Sequence, residues 1–429
     1  MNGAMATSAN EMKRNDAREP GHAPPPSPGV LPALDTDVLS NDAFAFWKLP
    51  EKWREALGSA IVRSRKEAEW YLFESYRPSS SGRQPRKIRA YYAIKPFIPT
   101  ALRQRMRSLA VRACSVPSFP AWPCESALLE LWSEWLEGAL ATLGQSDLWH
   151  IGFWPDGRNC CLVLTHDVEG PLGLERMEAM ADVEEKFGFR SVWNIPLDQY
   201  PVDWHMVERV RARGFEFGAH GLRHDGCLFR SLKDFTELAP RLESLAREHQ
   251  MRGFRSPSTL RNIDWLCTLN FDFDSTMADS DPFEPQPGGS CSIFPFFLNQ
   301  RMVELPYTLP QDHTLTNLLR RDPLPVWMAK VEWIAKRGGM ILTLTHPDYT
   351  GDAANLHKYA ELLKRLNDLE FAWRALPSEV AAWWHKRAAL QLVEGRDGPS
   401  VSGGDADRVV VKRVSAEPMM RGKFSCSES

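Results

Sequence analysis

Two histidines four residues apart, His220 and His224, lie in the stretch Gly218-Ala219-His220-Gly221-Leu222-Arg223-His224-Asp225. They sit beside a pair of glycines, directly after a short apolar run. Imidazoles so spaced are placed to share one divalent cation; the alternative is two loop histidines with separate partners. Upstream, Leu164-Thr165-His166-Asp167-Val168-Glu169-Gly170 puts carboxylates at what reads as a strand end. Downstream, Leu344-Thr345-His346-Pro347-Asp348 adds a lone histidine. Imidazoles with a carboxylate suit Zn²⁺, and equally Co²⁺ or Fe²⁺. The chemistry such a set points to is metal-dependent hydrolysis.

The elements that must position these groups alternate. Buried strands are predicted at Cys160–Leu164, Phe189–Ile195, Phe215–Ala219, Gly253–Arg255 and Phe271–Asp274, with helices between them. Strands at Ser292–Phe297, Met302–Leu305, Met340–Thr345 and Ala372–Ala375 follow, with helices at Val326–Arg337, Ala353–Leu369 and Ser378–Ala389. Strand–helix alternation implies parallel β/α units with right-handed crossovers, and seven or eight of them close into a barrel. Barrel chemistry sits at the C-terminal ends of the strands. Every candidate falls there: the acid cluster, the His pair, Arg255-Ser256-Pro257, Asp272-Phe273-Asp274 and His346.

At 429 residues the chain is long enough for one large domain and an accessory region. A net charge of −3 gives no global attraction to nucleic acid, and none is expected as a partner. The eight cysteines form no CxxC pair, which argues against a zinc ribbon and against a disulfide scaffold. We find neither a secretory signal nor an apolar run of about 18 residues, so a cytoplasmic protein is expected. Four segments are expected: a disordered 1–38, a helical basic region at 39–150, the barrel at 151–390 and a disordered tail at 391–429. Within 76–124 there is no acid, while arginines and lysines from Arg83 to Arg112 interleave with Tyr91, Tyr92 and Phe97. That segment reads as a solvated face over the main domain, or as a peripheral contact with the inner membrane face through 83–112.

In their order, these motifs resemble the polysaccharide deacetylase family (carbohydrate esterase family 4, the chitooligosaccharide deacetylase homology domain) over about 155–349. The resemblance implies a distorted (β/α)7-type barrel. It implies Asp167 as general base, steered by Arg255, and His346 as general acid. His220 and His224 would bind the metal with Glu169, Asp167 or both, since Val168 stands where the family usually places its ligand aspartate. His166 replaces the usual phenylalanine and reads as an imidazole packed behind the site. Asp274 and Pro257 are expected to line the substrate groove. His313, in Leu305-Pro306-Tyr307-Thr308-Leu309-Pro310-Gln311-Asp312-His313, follows a strand and could reach substrate. The turn-rich loop at 279–289 is long enough to read as functional.

The implied reaction is hydrolysis of an N-acetyl or O-acetyl group on an amino sugar or polysaccharide precursor, nucleotide- or lipid-linked. The alternatives are a deformylase or amidase acting on a lipid-linked or small cyclic amide, and a non-catalytic barrel that binds sugar or metal.

Overall fold

The computed structural model describes residues 39–77, 116–396 and 398–415. The readings made for 1–38, for the basic stretch 83–112 and for 416–429 lie outside them. Three helices come first: α1 (Ala43–Trp47), α2 (Gly58–Leu72) and α3 (Ala127–Leu143). A strand β1 (Asp147–Ile151) follows. The barrel then begins with β2 (Cys160–Asp167), in which every residue is buried. The apolar run Cys160–Leu164 that opens it is what a strand covered on both faces requires.

The succession is α4 (Pro171–Lys186), β3 (Ser191–Ile195), α5 (Trp204–Ala212), β4 (Glu216–Ala219), α6 (Leu232–Glu248) and β5 (Gly253–Phe254). After them come α7 (Ile263–Leu266), β6 (Phe273–Asp274), β7 (Phe296–Phe297) and β8 (Val303–Glu304). The last units are α8 (Pro323–Lys336), β9 (Met340–Leu342), α9 (Pro347–Thr350), α10 (Ala353–Asn367), β10 (Ala372–Arg374) and α11 (Pro377–Ala389). Strands β2 to β6 pair in parallel in sequence order, β8 joins β6 in parallel, and β9 and β10 both pair with β2. The circle is drawn together between β8 and β9. There the Thr308 and Leu309 N–H groups donate to Leu342 O at 3.1 and 3.0 Å. The result is an α/β fold with a curled parallel sheet, the expected distorted (β/α)7-type barrel.

One expected boundary is corrected, that of the tail; the described residues of the helical region, for their part, share one large apolar cluster with the barrel. Phe46 of α1 stacks on Trp132 of α3 at 5.1 Å and meets Phe294 edge-on at 5.1 Å. A buried ion pair joins Glu74 to Arg261, and the Tyr76 hydroxyl donates to Gly289 O at 2.7 Å. The tail is likewise ordered well past 391. A hairpin forms from β11 (Gln391–Gly395) and β12 (Gly398–Ser402), and β13 (Val411–Ser415) pairs antiparallel with β1. Only Leu392 and Val414 of these strands are buried, so their sequence reads as polar tail.

Candidate active site

Asp167 ends β2, and Asn194 stands opposite it on β3. Asn194 Nδ2 donates to Asp167 Oδ1 at 2.9 Å, and Arg255 Nη1 donates to the same oxygen at 3.1 Å. Gly218 on β4 makes room for this arrangement. A Cβ there would stand 2.2 Å from Asn194 Oδ1 and push the amide off the carboxylate. Arg255 is fully buried. Its Nε donates to Ser275 O at 2.6 Å, Nη2 to Ser275 Oγ at 2.6 Å and Nη1 to Thr165 Oγ1 at 2.8 Å. A guanidinium tied at so many points cannot swing, so it fixes where the carboxylate lies. Burial pushes the Asp167 pKa up, but His220 and Arg255 outweigh it and hold the group below its ordinary value.

His220 Nδ1 lies 2.9 Å from Arg255 O. A carbonyl can only accept, so Nδ1 carries the proton and Nε2 presents its lone pair. Burial lowers the His220 pKa to about 4, so the ring is neutral near pH 7. Its Nε2 faces Asp167 Oδ2 at 3.8 Å. His224 Nε2 lies 3.0 Å from Glu169 Oε1, yet this buried nitrogen has no partner in hydrogen-bond geometry. Gly221 adopts φ +73° between the two histidines, and Pro257 packs where a Cβ would be, its Cγ 3.0 Å away.

His346 begins α9. Its Nδ1 is 2.7 Å from Asp312 Oδ1, and its backbone N–H donates to Asp312 Oδ2 at 2.9 Å. Its Nε2 turns to Glu169 Oε1 at 4.0 Å. Burial alone would lower the His346 pKa; the Asp312 carboxylate overrides it, with Glu169 and Asp167 adding, and raises the value to about 10. Glu169 sits at the centre of this mouth. Burial raises its pKa, but His224, then His346 and His313, bring it well below the ordinary value. Tyr349 donates to Glu169 Oε2 at 3.1 Å.

The structure therefore brings Asp167, Glu169, His220, His224, Arg255 and His346 to one end of the sheet. They do not form a single ready-made ligand sphere. Among the described residues no three His, Cys, Asp or Glu side chains gather closely enough to hold a metal ion. The expected shared centre appears as two pairs, Asp167–His220 and Glu169–His224, with imidazole centroids 5.4 Å apart. The donor set nevertheless fits a divalent cation. A lone pair on His220 facing a carboxylate oxygen, and a buried His224 nitrogen without a hydrogen bond, both call for positive charge between the partners.

Two substrate-binding expectations are corrected. Asp274 is wholly buried, and its oxygens accept from Thr276 N at 3.0 Å and Thr276 Oγ1 at 2.8 Å. It stands opposite Glu304 across β6 and β8, inside the wall of the barrel, and cannot meet a substrate. Pro257 is also buried, closing over the His220–His224 turn. His313 does reach the mouth, half-buried, its ring 5.0 Å from Tyr349 and 6.4 Å from His346. His166 is packed behind the site, stacked on Trp193 at 4.2 Å with Nε2 2.6 Å from Glu184. Asn194, Ser275, Tyr349 and Asp312 were not singled out from sequence. Asp312 had one signal, its place beside His313 in a loop leaving a strand.

No family model matches the chain, and no curated protein does. The chain is similar to a solved structure assigned as a polysaccharide deacetylase from Mycobacterium smegmatis, at 18% identity over 54% of this chain and 91% of that one, with a TM-score of 0.44. It is similar to Puue allantoinase at 14% identity, over 54% and 92%, with a TM-score of 0.42. A carbohydrate esterase family 4 pseudoenzyme from Bacillus anthracis matches at 13%, over 52% and 65%, with a TM-score of 0.34. The solved structures this chain resembles thus include polysaccharide deacetylases and family 4 carbohydrate esterases, and its chemistry has to be argued from its own side chains.

Proposed function

We propose that this chain is a metal-dependent hydrolase that removes an acyl group, acetyl in the first instance, from the nitrogen or oxygen of an amino sugar or sugar precursor. One observation carries the reading: a carboxylate held charged at Asp167 and a histidine held protonated at His346 face the same mouth, with the His220–His224 pair there as well. An acceptor and a donor of protons kept in opposite states are what acyl hydrolysis needs.

Bound by His220 and His224 with Glu169 or Asp167, a divalent cation, Zn²⁺ first, would supply Lewis acidity toward water and the acyl oxygen. Asp167 takes the proton from the attacking water, and Arg255 and Asn194 keep its carboxylate aimed. As the acyl C–N or C–O bond breaks, His346 Nε2 gives its proton to the departing nitrogen or oxygen. The products are the free amine or hydroxyl and a carboxylate. Tyr349 and His313 border the same mouth and would contact the acylated sugar.

The test is acetate release from N-acetylated and O-acetylated sugars by the full chain, with metal added and with chelator. Turnover that disappears with chelator and returns with Zn²⁺ supports the reading. Bound metal without turnover on any acylated sugar would favour a binding barrel instead.

A further inference from the structure

Glu169 is held by residues far from it in sequence, at almost every polar atom it has. Its backbone N–H donates to Asp348 Oδ2 at 3.1 Å, and its carbonyl accepts from Gln199 Nε2 at 2.7 Å. The Tyr349 hydroxyl donates to its Oε2 at 3.1 Å. What remains is Oε1, turned to His224 Nε2 at 3.0 Å and to His346 Nε2 at 4.0 Å. Gln199 also serves the other half of the pair, because its Oε1 accepts from the His224 backbone N–H. One amide thus spans the acid loop and the histidine loop, and turning it over would lose both bonds.

The Asp348 contact is built into the fold. Helix α4 starts at Pro171 after Gly170, and its own N-cap offers no side-chain bond. Asp348 caps it instead, Oδ1 accepting from the Gly173 N–H at 3.2 Å, and a carboxylate there suits the positive end of the helix dipole. Gly173 supplies the space, since a Cβ on it would stand 2.2 Å from Asp348 Oδ2. Arg176 Nη1 closes the junction by donating to Asp348 O at 2.7 Å. Capping accounts for the bond to Gly173. It does not account for Tyr349 and Gln199 meeting on the same glutamate.

We propose that Gln199, Asp348 and Tyr349 are positioning residues for metal uptake, acting through Glu169: they leave it one oxygen, Oε1, and hold that oxygen facing His224. The pair is then set before a cation arrives. This inference rests on the metal-dependent reading above, and its test does not depend on turnover.

Zn²⁺ affinity of the full chain would be measured by competition with a chromophoric chelator, for wild type and for Tyr349→Phe, Asp348→Asn and Gln199→Ala. The visible spectrum would be recorded with Co²⁺ in place of Zn²⁺. Partners that orient a metal ligand are worth roughly 10- to 100-fold in metal affinity. Each variant should therefore bind Zn²⁺ at least about tenfold more weakly. Tyr349→Phe should also change the Co²⁺ spectrum, because Oε2 is then free to turn to the ion. Unchanged Zn²⁺ affinity in Tyr349→Phe and Gln199→Ala overturns the proposal. So does weaker binding in Tyr349→Phe with an unaltered Co²⁺ spectrum, the sign of general loosening. A wild-type chain that takes up no Zn²⁺ is a different failure, which removes the metal-dependent reading and this proposal with it. Gln199 is exposed and Tyr349→Phe deletes a single oxygen, so these two carry the test should Asp348→Asn fail to fold.

Discussion

Asp312 holds His346 by two contacts at once, the ring Nδ1 at 2.7 Å and the backbone N–H at 2.9 Å. One carboxylate therefore sets both the position of the imidazole and its charge. Asp312→Asn keeps the shape but removes the charge that raises the His346 pKa. A positioned general acid contributes roughly 10²- to 10⁴-fold. His346→Ala should lose that factor, and Asp312→Asn should lose part of it, in kcat rather than KM. The distinguishing substrate is an ester with a p-nitrophenolate leaving group, which departs without protonation. Its turnover should fall little in Asp312→Asn, while release of acetate from an N-acetyl sugar falls strongly. Equal losses on both substrates would remove His346 from the role of acid.

Metal content is the second measurement. His220 Nε2 faces Asp167 at 3.8 Å, and the buried His224 Nε2, 3.0 Å from Glu169, has no partner in hydrogen-bond geometry. His220→Ala and His224→Ala should each abolish stoichiometric uptake of Zn²⁺, read by elemental analysis after dialysis. Asp167→Asn and Glu169→Gln then separate the carboxylates. Loss of a ligand empties the site, while loss of the base leaves metal bound and turnover gone. Full metal occupancy in His224→Ala would show that the two pairs never close on one ion.

How much of this was readable beforehand differs from element to element. The barrel strands were legible because β2, wholly buried, opens on the apolar run Cys160–Leu164. The chemistry-bearing residues were legible because each ends such a strand. Asp312 was not, since its role depends on His346, 34 positions away. Asn194 was not, because only the parallel register of β2 and β3 brings it beside Asp167. Asp274 was misread for the converse reason. A carboxyl at a strand end points into the mouth or into the wall, and local sequence does not say which. The ribbon at 391–415 escaped notice because an exposed antiparallel pair needs few apolar residues.

The buried pair of Glu74 and Arg261 ties the end of α2 to the chain after β5. Glu74 Oε2 accepts from Arg261 Nε at 2.8 Å and from Arg77 Nη1 at 2.7 Å. Arg261 in turn exchanges bonds with Gln286, in the long turn-rich loop. Glu74→Ala would leave the Arg261 charge buried without its partner, which costs about 3–5 kcal/mol. Urea unfolding should register a loss of that order, and proteases should cut 279–289 more readily. A change below about 1 kcal/mol, within the range of ordinary surface substitutions and exposed pairs, would mean that solvent reaches Arg261.

The pH dependence of stability should expose the second buried pair. Asp274 and Glu304 are cross-strand partners, and neither is exposed to solvent. Burial raises the pKa of Asp274; burial, and then the charge of Asp274, raises that of Glu304 well above the usual carboxylate value. A carboxyl whose pKa is higher folded than unfolded favours the folded state while it is protonated. Its contribution is complete below the unfolded value, near 4, and is lost as pH climbs through the folded value. Wild-type stability should therefore decline from pH 5 to pH 8 by more than a Glu304→Gln protein does. The glutamine amide imitates the protonated acid and has no charge to lose. At pH 8 the variant should be the more stable. Denaturant midpoints of both proteins at the two pH values make the comparison, and parallel slopes would show that Asp274 and Glu304 titrate as they do in the unfolded chain.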